Sequence, residues 1–232
     1  MAVSEYAELD GVTVGTTELS ILSGTTTLQS RTDQGVYSLW LDASAMAKGD
    51  EYFWTVKEKC ESTGGSTRVV FQGVLADAQV EPLITPPLML KNGWDMTLRK
   101  SAGTDRAWDA SVRGVSGTIV EPFELDGVTV GTTELSIVSG TTALQTNTDD
   151  GVYQLYVDPS VMTKGDQFAV RIYEKVEATG GTKRQVYEAI LGDQNLENLV
   201  TPMLTLMHGW DMTIQKIAGT DRAFDASIRK VA

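Results

Sequence analysis

The chain has 232 residues, of which 41% are hydrophobic and 22% charged, an ordinary globular mixture that argues against disorder. Its formal net charge is -12, so a polyanion such as DNA is repelled on average and nucleic acid is not an expected partner. Cys60 is the only cysteine, which excludes an intramolecular disulfide, and no run approaches the ~18 to 20 apolar residues of a membrane span.

The first residues, "MAVSEYAELDG", lack a basic n-region and an apolar h-region, so Sec export is not expected and the protein is expected to fold in the cytoplasm. Strands are predicted near Val3, Val12 and Leu19. The next, "VYSLWLD" from Val36 to Asp42, alternates with period two: Tyr37, Leu39 and Leu41 form one face, Ser38 and Trp40 the other. "DASAMAKGD", from Asp42 to Asp50, carries a capping Asp and a terminal Gly, the signature of one short helical turn. In "DEYFWTVKEK" the inward residues are Tyr52, Trp54 and Val56, with Phe53, Thr55 and Lys57 outward. "TRVVFQGVL" follows the turn at Thr63 to Gly65. "GWDMTLRKSAGTDRAWDASVR", from Gly93, supplies two more strands, with Trp94, Met96 and Leu98 inward on one and Trp108, Ala110 and Val112 inward on the other.

All of this is then said again. Residues 8–115 align on 124–231 at a constant offset of 116, with 65 identities over 108 positions and no gap. Solenoid repeats are typically about 20 to 50 residues, so a period this long means two domains, 1–116 and 117–232. Only Ser116, Gly117 and Thr118 read as linker, and three residues span about 10 Å at most, so the domains are expected to touch. Seven or eight short strands per copy predict an all-β chain of two tandem antiparallel β-sandwiches, jelly-roll or immunoglobulin-like.

Candidate chemistry is sparse. "AGTDRA", at Ala102 to Ala107 and again at Ala218 to Ala223, has the Gly, Thr and Asp of a tight hairpin, with Asp105 and Arg106 placed to pair across it. Asp105 and Asp109 have the spacing of a carboxylate pair, as a glycosidase needs, but no apolar pocket that would raise a pKa is visible beside them. His208 is the only histidine and Asn92 replaces it in the first copy, so neither a Ser–His–Asp triad nor a histidine-rich metal site belongs to the repeated unit. "TDDG", from Thr148 to Gly151, lacks the alternating oxygens of a calcium loop and reads as a turn. Cys60 becomes Val176 and reads as a small hydrophobe. No catalytic residue, metal ligand or cofactor is therefore assigned, and the chain is not expected to be an enzyme.

The outward aromatics Trp40, Phe53 and Tyr156, together with Arg106 and Arg222, are the candidate interface. Exposed rings anchor protein partners, and they also stack on sugars, which makes a glycan the alternative ligand.

The stretch "MAKGDEYFWTVKEK", with "GGSTRVVFQGVL" and the ending "GWDMTLRKSAGTDRAWDASVR", resembles a group of small phage virion proteins of β-sandwich type. Their pattern is a strand, "GD" with an aromatic, a "YEK"-like strand end and a closing "GW…AGTDR…W…R" hairpin; "GDQFAVRIYEK" in the second copy fits it best. The resemblance implies a virion component that decorates or cements the outside of the capsid. Its implied partners are the major capsid protein lattice, other virion proteins or further copies of itself, and its place is the virion assembled in the host cytoplasm. The alternative is a tandem carbohydrate-binding or host-surface adhesion protein of a virion. This chain differs from the pattern in carrying two fused copies.

Overall fold

A computed structural model of the chain describes residues 4–59, 66–79, 82–175, 182–193 and 197–232. Val3, Cys60, Val176 and the turns at Thr63 to Gly65 and Thr179 to Gly181 lie outside these residues. The chain divides into two compact units, Met1–Ile119 and Val120–Ala232.

The first unit runs β1 (Ser4–Val14), β2 (Leu19–Ser20), β3 (Gly35–Asp42), β4 (Glu51–Lys59), β5 (Thr67–Ala76), β6 (Leu83–Ile84), β7 (Leu88–Leu90), β8 (Asp95–Ala102) and β9 (Arg106–Ser116). The second repeats it as β10 (Ile119–Val130), β11 (Leu135–Ser136), β12 (Gly151–Asp158), β13 (Gln167–Glu174), β14 (Arg184–Gly192), β15 (Leu199–Val200), β16 (Leu204–Leu206), β17 (Asp211–Ala218) and β18 (Arg222–Val231). Each unit has a five-stranded and a four-stranded antiparallel sheet. In the first unit β1, β9 and β3 lie side by side with β6 and β7 both on the far edge of β3, and the other sheet runs β2-β8-β4-β5. The class is all-β, with no helix among the described residues.

Alternation sets the two faces of each strand, as its period of two requires. Tyr37, Leu39 and Leu41 of β3 and Trp108, Ala110 and Val112 of β9 are buried from one sheet. Tyr52, Trp54 and Val56 of β4 and Met96 and Leu98 of β8 are buried from the other, with Trp94 just before β8. Rings meet across the sandwich: Tyr52 packs edge-on to Trp108 at 4.9 Å, and Phe168 to Phe224 at 4.7 Å in the second unit. Tyr37 and Trp94 are 4.7 Å apart, and their counterparts Tyr153 and Trp210 are 4.6 Å apart. Each such pair contributes about 0.5 to 1.5 kcal/mol beyond the area it buries.

Two local expectations fail. The Asp42 to Asp50 segment is a pair of turns, not a helical one: Asp42 accepts the Ser44 N–H at 2.9 Å and Asp50 accepts the Ala47 N–H at 2.8 Å. Each turn is closed by a three-residue backbone bond, Met46 N–H to the Ala43 carbonyl and Asp50 N–H to the Ala47 carbonyl. "AGTDRA" is not a hairpin either. β8 pairs with β2 and β4, whereas β9 pairs with β1 and β3, so Gly103 to Asp105 carries the chain from one sheet to the other.

Candidate functional site

That inter-sheet link is pinned by a clasp present in both units. Asp50, 3% exposed, accepts the Ala47 and Thr104 N–H groups and the Arg106 Nε at 2.7 Å. The Thr104 and Ala47 amides, then Arg106, pull the Asp50 carboxyl down to about 2. Asp166 repeats the set with Thr220, Thr163 and Arg222, again at 2.7 Å to Arg222 Nε, and its carboxyl is likewise held well below the usual range. Gly103 sits at a φ of +84° against this carboxylate; a Cβ there would lie 2.3 Å from Asp50 Oδ1. Arg106 and Arg222, the candidate interface arginines, are each tied into a carboxylate clasp and keep part of the side chain exposed. Asp105 pairs not with Arg106 but with Lys100, and Asp221 with Lys216. Asp109 accepts the Gly11 N–H at 2.7 Å, so Asp105 and Asp109 serve separate partners instead of acting as a carboxylate pair.

The outer face of the five-stranded sheet is different in kind. Register places Trp40 of β3 opposite Ser111 of β9 and Ile84 of β6, with Glu8 of β1 beyond Ser111. The next row toward the strand end sets Asp42 directly opposite Asp109, and the row on the other side sets Ser38, Arg113 and Glu5 in line. All of these but Ser38 and Ile84 border a cleft of about 320 Å³ in which Pro82 forms one wall. The Arg113 guanidinium carbon lies 4.2 Å from the Trp40 ring centre, and its Nε donates to Ser111 Oγ at 3.1 Å. Ser111 in turn donates to Glu5. Among the described residues no Lys or Arg is ion-paired with Glu8, Asp42 or Asp109. The Ser44 amide, bonded to Asp42, lowers that carboxyl and keeps it ionised.

The second unit carries the same rows with four exchanges. Tyr156 stands for Trp40, Gln154 for Ser38, Val200 for Ile84 and Asn198 for Pro82. Tyr156 is fully buried, a correction to its expected exposure, although it does lie on the strand face opposite the core. Its ring is 3.7 Å from the Arg229 guanidinium carbon and its hydroxyl donates to Gln154 Oε1 at 3.3 Å. Gln154 Nε2 donates to the Thr201 carbonyl, and Arg229 Nε reaches Glu121 at 3.3 Å. The hydroxyl and the amide each find a partner, which is why these polar groups tolerate burial.

Phe53 lies on the outer face of the four-stranded sheet, half-buried between Val74 and Arg99 on the neighbouring strands, with the Arg99 guanidinium carbon 5.6 Å from its ring centre. Its counterpart Ala169 sits between Ile190 and Gln215 and carries no ring. Trp40 and Phe53 are thus on different sheets and do not form one surface patch. The rows around Trp40 escaped the sequence reading because cross-strand partners are far apart in the chain. The available signal was the identity of Glu5, Asp42, Asp109, Ser111 and Arg113 between copies at outward positions, where neighbours such as Phe53, Thr55 and Lys57 change.

Among the described residues no group of three or more His, Cys, Asp or Glu is arranged to hold a metal ion, and no helix is long and apolar enough to cross a membrane. No family model and no curated protein matches the sequence. Solved structures that the chain matches include PNGase F, a glycosylasparaginase from Flavobacterium meningosepticum (TM-score 0.36, 8% identity, 100% of this chain and 96% of that one). Another is the PBSX exported protein XepA (TM-score 0.34, 10% identity, 100% and 86%). A third is the N-terminal CBM22-1–CBM22-2 tandem domain of Paenibacillus barcinonensis Xyn10C (TM-score 0.27, 10% identity, 92% and 82%). Likeness at these values carries no argument about ligand or role. It does correct the expectation that the chain is not an enzyme. The similar structures include an enzyme, PNGase F, so a sandwich fold without a recognised motif is no ground for excluding catalysis.

Proposed function

We propose that the chain is a structural component of a phage particle, docking on the outside of its protein shell through the outer sheet face of the first unit. The observation that carries the reading is the treatment of one surface in two copies. The scaffold is kept almost unchanged, with the same clasp at Asp50 and Asp166, while the row around Trp40 is left as an open cleft and the row around Tyr156 is a buried, internally bonded network. A rigid sandwich with one open, charged face is suited to binding a partner. Two fused units add effective concentration when neighbouring sites repeat. The resemblance of the "GD…YEK" and "GW…AGTDR" segments to small virion proteins supports the phage setting.

Purified protein incubated with heads of the phage that encodes it should co-sediment with them, raise their melting temperature and give added density on the capsid exterior in electron microscopy. Heads that bind none, on particles that carry none, would refute the reading. Trp40 in its cleft also favours a second reading, a glycan ligand stacked on the ring. A glycan array that gives a signal abolished by Trp40→Ala would establish it.

A further inference from the structure

We propose that the first strands of the two units are interchangeable: β10 can leave β18 and replace β1 on β9, which opens β18 to the β1 of a second copy. This exchange belongs to the scaffold and does not depend on what the outer face binds. From Glu8 to Val14 the first strand reads "ELDGVTV", and β10 reads the same from Glu124 to Val130. Residue for residue, the two stretches have the same pattern of burial, with the leucine and the last valine inward. They also make the same bonds to the strand beside them. The Gly11 N–H meets Asp109 at 2.7 Å and the Gly127 N–H meets Asp225 at 2.8 Å, while Ser111 donates to Glu5 and Ser227 to Glu121. The receiving strands, "RAWDASVR" from Arg106 and "RAFDASIR" from Arg222, differ only in two inward apolar side chains.

Before this stretch β10 departs from β1, and the departures fit. Pro122, which has no N–H to give, stands where β1 has Tyr6, at the register break between Glu5 and Ala7. The Tyr6 ring lies 5.4 Å from Trp94, and Phe123 of β10 sets its own ring 6.1 Å from Trp210, the counterpart of Trp94. The link between the units sets the register. Ser4 lies opposite Gly114, and only residues 115–119 separate Gly114 from Val120, the counterpart of Ser4. Hairpin loops span about two to five residues, so β10 reaches β9 in the register of β1. Closing so short a loop costs less entropy than bringing β1 back across nearly the whole unit. Two things hold the present pairing: β10 is satisfied on β18, and Gln34 latches the link. The Gly117 N–H donates to the Gln34 carbonyl at 3.3 Å and the Ile119 N–H to Gln34 Oε1 at 3.0 Å. A shift inside one copy leaves β18 bare and β1 loose, a net loss of one pairing. Between copies nothing is lost, because the loose β1 of one fills the bare β18 of the next, head to tail.

The test traps the strands of the full chain as disulfides in a glutathione redox buffer, with Cys60→Val throughout to remove the native thiol. Ser111→Cys with Glu8→Cys reports the present pairing, since these residues lie directly opposite. Ser111→Cys with Glu124→Cys reports the shifted pairing, and Ser111→Cys with Thr129→Cys is the out-of-register control. The intrachain 111–124 bond, read on denaturing gels and by peptide mapping, should form at least tenfold more than the 111–129 bond. Gln34→Ala should raise its yield at least threefold. Protein trapped at 111–124 should sediment as oligomers that grow with concentration, while protein trapped at 8–111 keeps one size. A 111–124 yield no higher than the control would overturn the exchange, and an unchanged yield in Gln34→Ala would overturn the latch. Trapped protein that stays monomeric at every concentration would show β1 passing to β18 of its own chain, and would remove the second copy as the partner.

Discussion

Set side by side, the face around Trp40 and the face around Tyr156 show how little sequence separates an open surface from a buried one. Both rest on the same strands in the same register, and both stack an arginine on a ring. In one, a serine and a proline beside the ring go with a cleft; in the other, a glutamine bonded to the ring hydroxyl and a buried asparagine hold those positions. The core keeps its apolar pattern while its side chains change, with Tyr52, Trp54 and Trp108 replaced by Phe168, Val170 and Phe224. The difference teaches that the fold and the surface of this chain are separable: clasp and sheet-to-sheet link are held constant and the interior stays apolar while outer rows are finished differently.

The largest effects should test whether the units are independent as well as alike. Trp94→Ala in the first unit and Trp210→Ala in the second each remove a fully buried ring and should cost about 3 to 5 kcal/mol. Calorimetry should show each substitution lowering one transition and sparing the other. A single transition lowered equally by both would mean that the units melt as one body.

Next come the two rings that define the comparison. Tyr156→Ala empties a fully buried site and should cost about 3 to 5 kcal/mol of the second unit's stability, whereas half-buried Trp40→Ala should cost about 1 to 2 kcal/mol. Similar costs, measured by urea unfolding, would show that the two faces are equally packed after all.

Acid should act on both units alike, because the clasp is common to them. Asp50 and Asp166 have carboxyls held below their unfolded values, so the stability they contribute is present above the unfolded pKa near 4 and is lost as the pH falls toward about 2. Asp95 and Asp211 act in the opposite sense, since burial pushes their carboxyls up, and protonating them relieves a cost. Melting curves between pH 2 and 5 should therefore flatten in Asp50→Asn with Asp166→Asn. An unchanged pH slope in that variant would assign acid sensitivity elsewhere.

The smallest effect belongs to the exposed pairs Lys100–Asp105 and Lys216–Asp221. Replacing either lysine by alanine should move stability by less than about 1 kcal/mol, and equally in the two units.

Much of this architecture is visible in alternation alone. Tyr37, Leu39 and Leu41, or Tyr52, Trp54 and Val56, announce their inner face because each strand repeats every second residue, a local property. What alternation cannot carry is the identity of the neighbouring strand. "AGTDRA" has hairpin residues, yet the strands it joins belong to different sheets, because Gly103 bends the chain against Asp50, more than fifty positions earlier. "DASAMAKGD" has a helix cap, yet Asp50 spends its oxygens on Ala47, Thr104 and Arg106. The candidate cleft was legible only in part. Trp40 stands out as an outward ring, but the acidic rows around it come from β1, β3 and β9, and only the ladder register brings them together.

That register has a consequence for how the chain is made. In each unit the first strand pairs with the last, Ser4 with Gly114 in the first, so the five-stranded sheet cannot close until nearly the whole unit has left the ribosome. Such pairing between distant segments makes folding slow, in the range of milliseconds to seconds for comparable sandwiches. It also leaves β1 waiting while a second, nearly identical final strand, β18, is still to be synthesised. A vectorial start settles the choice: β9 emerges first and captures β1 before its rival exists. Refolding from denaturant removes that head start and sets two equivalent partners in competition, so the yield of native protein should be lower from a denatured chain than from a nascent one.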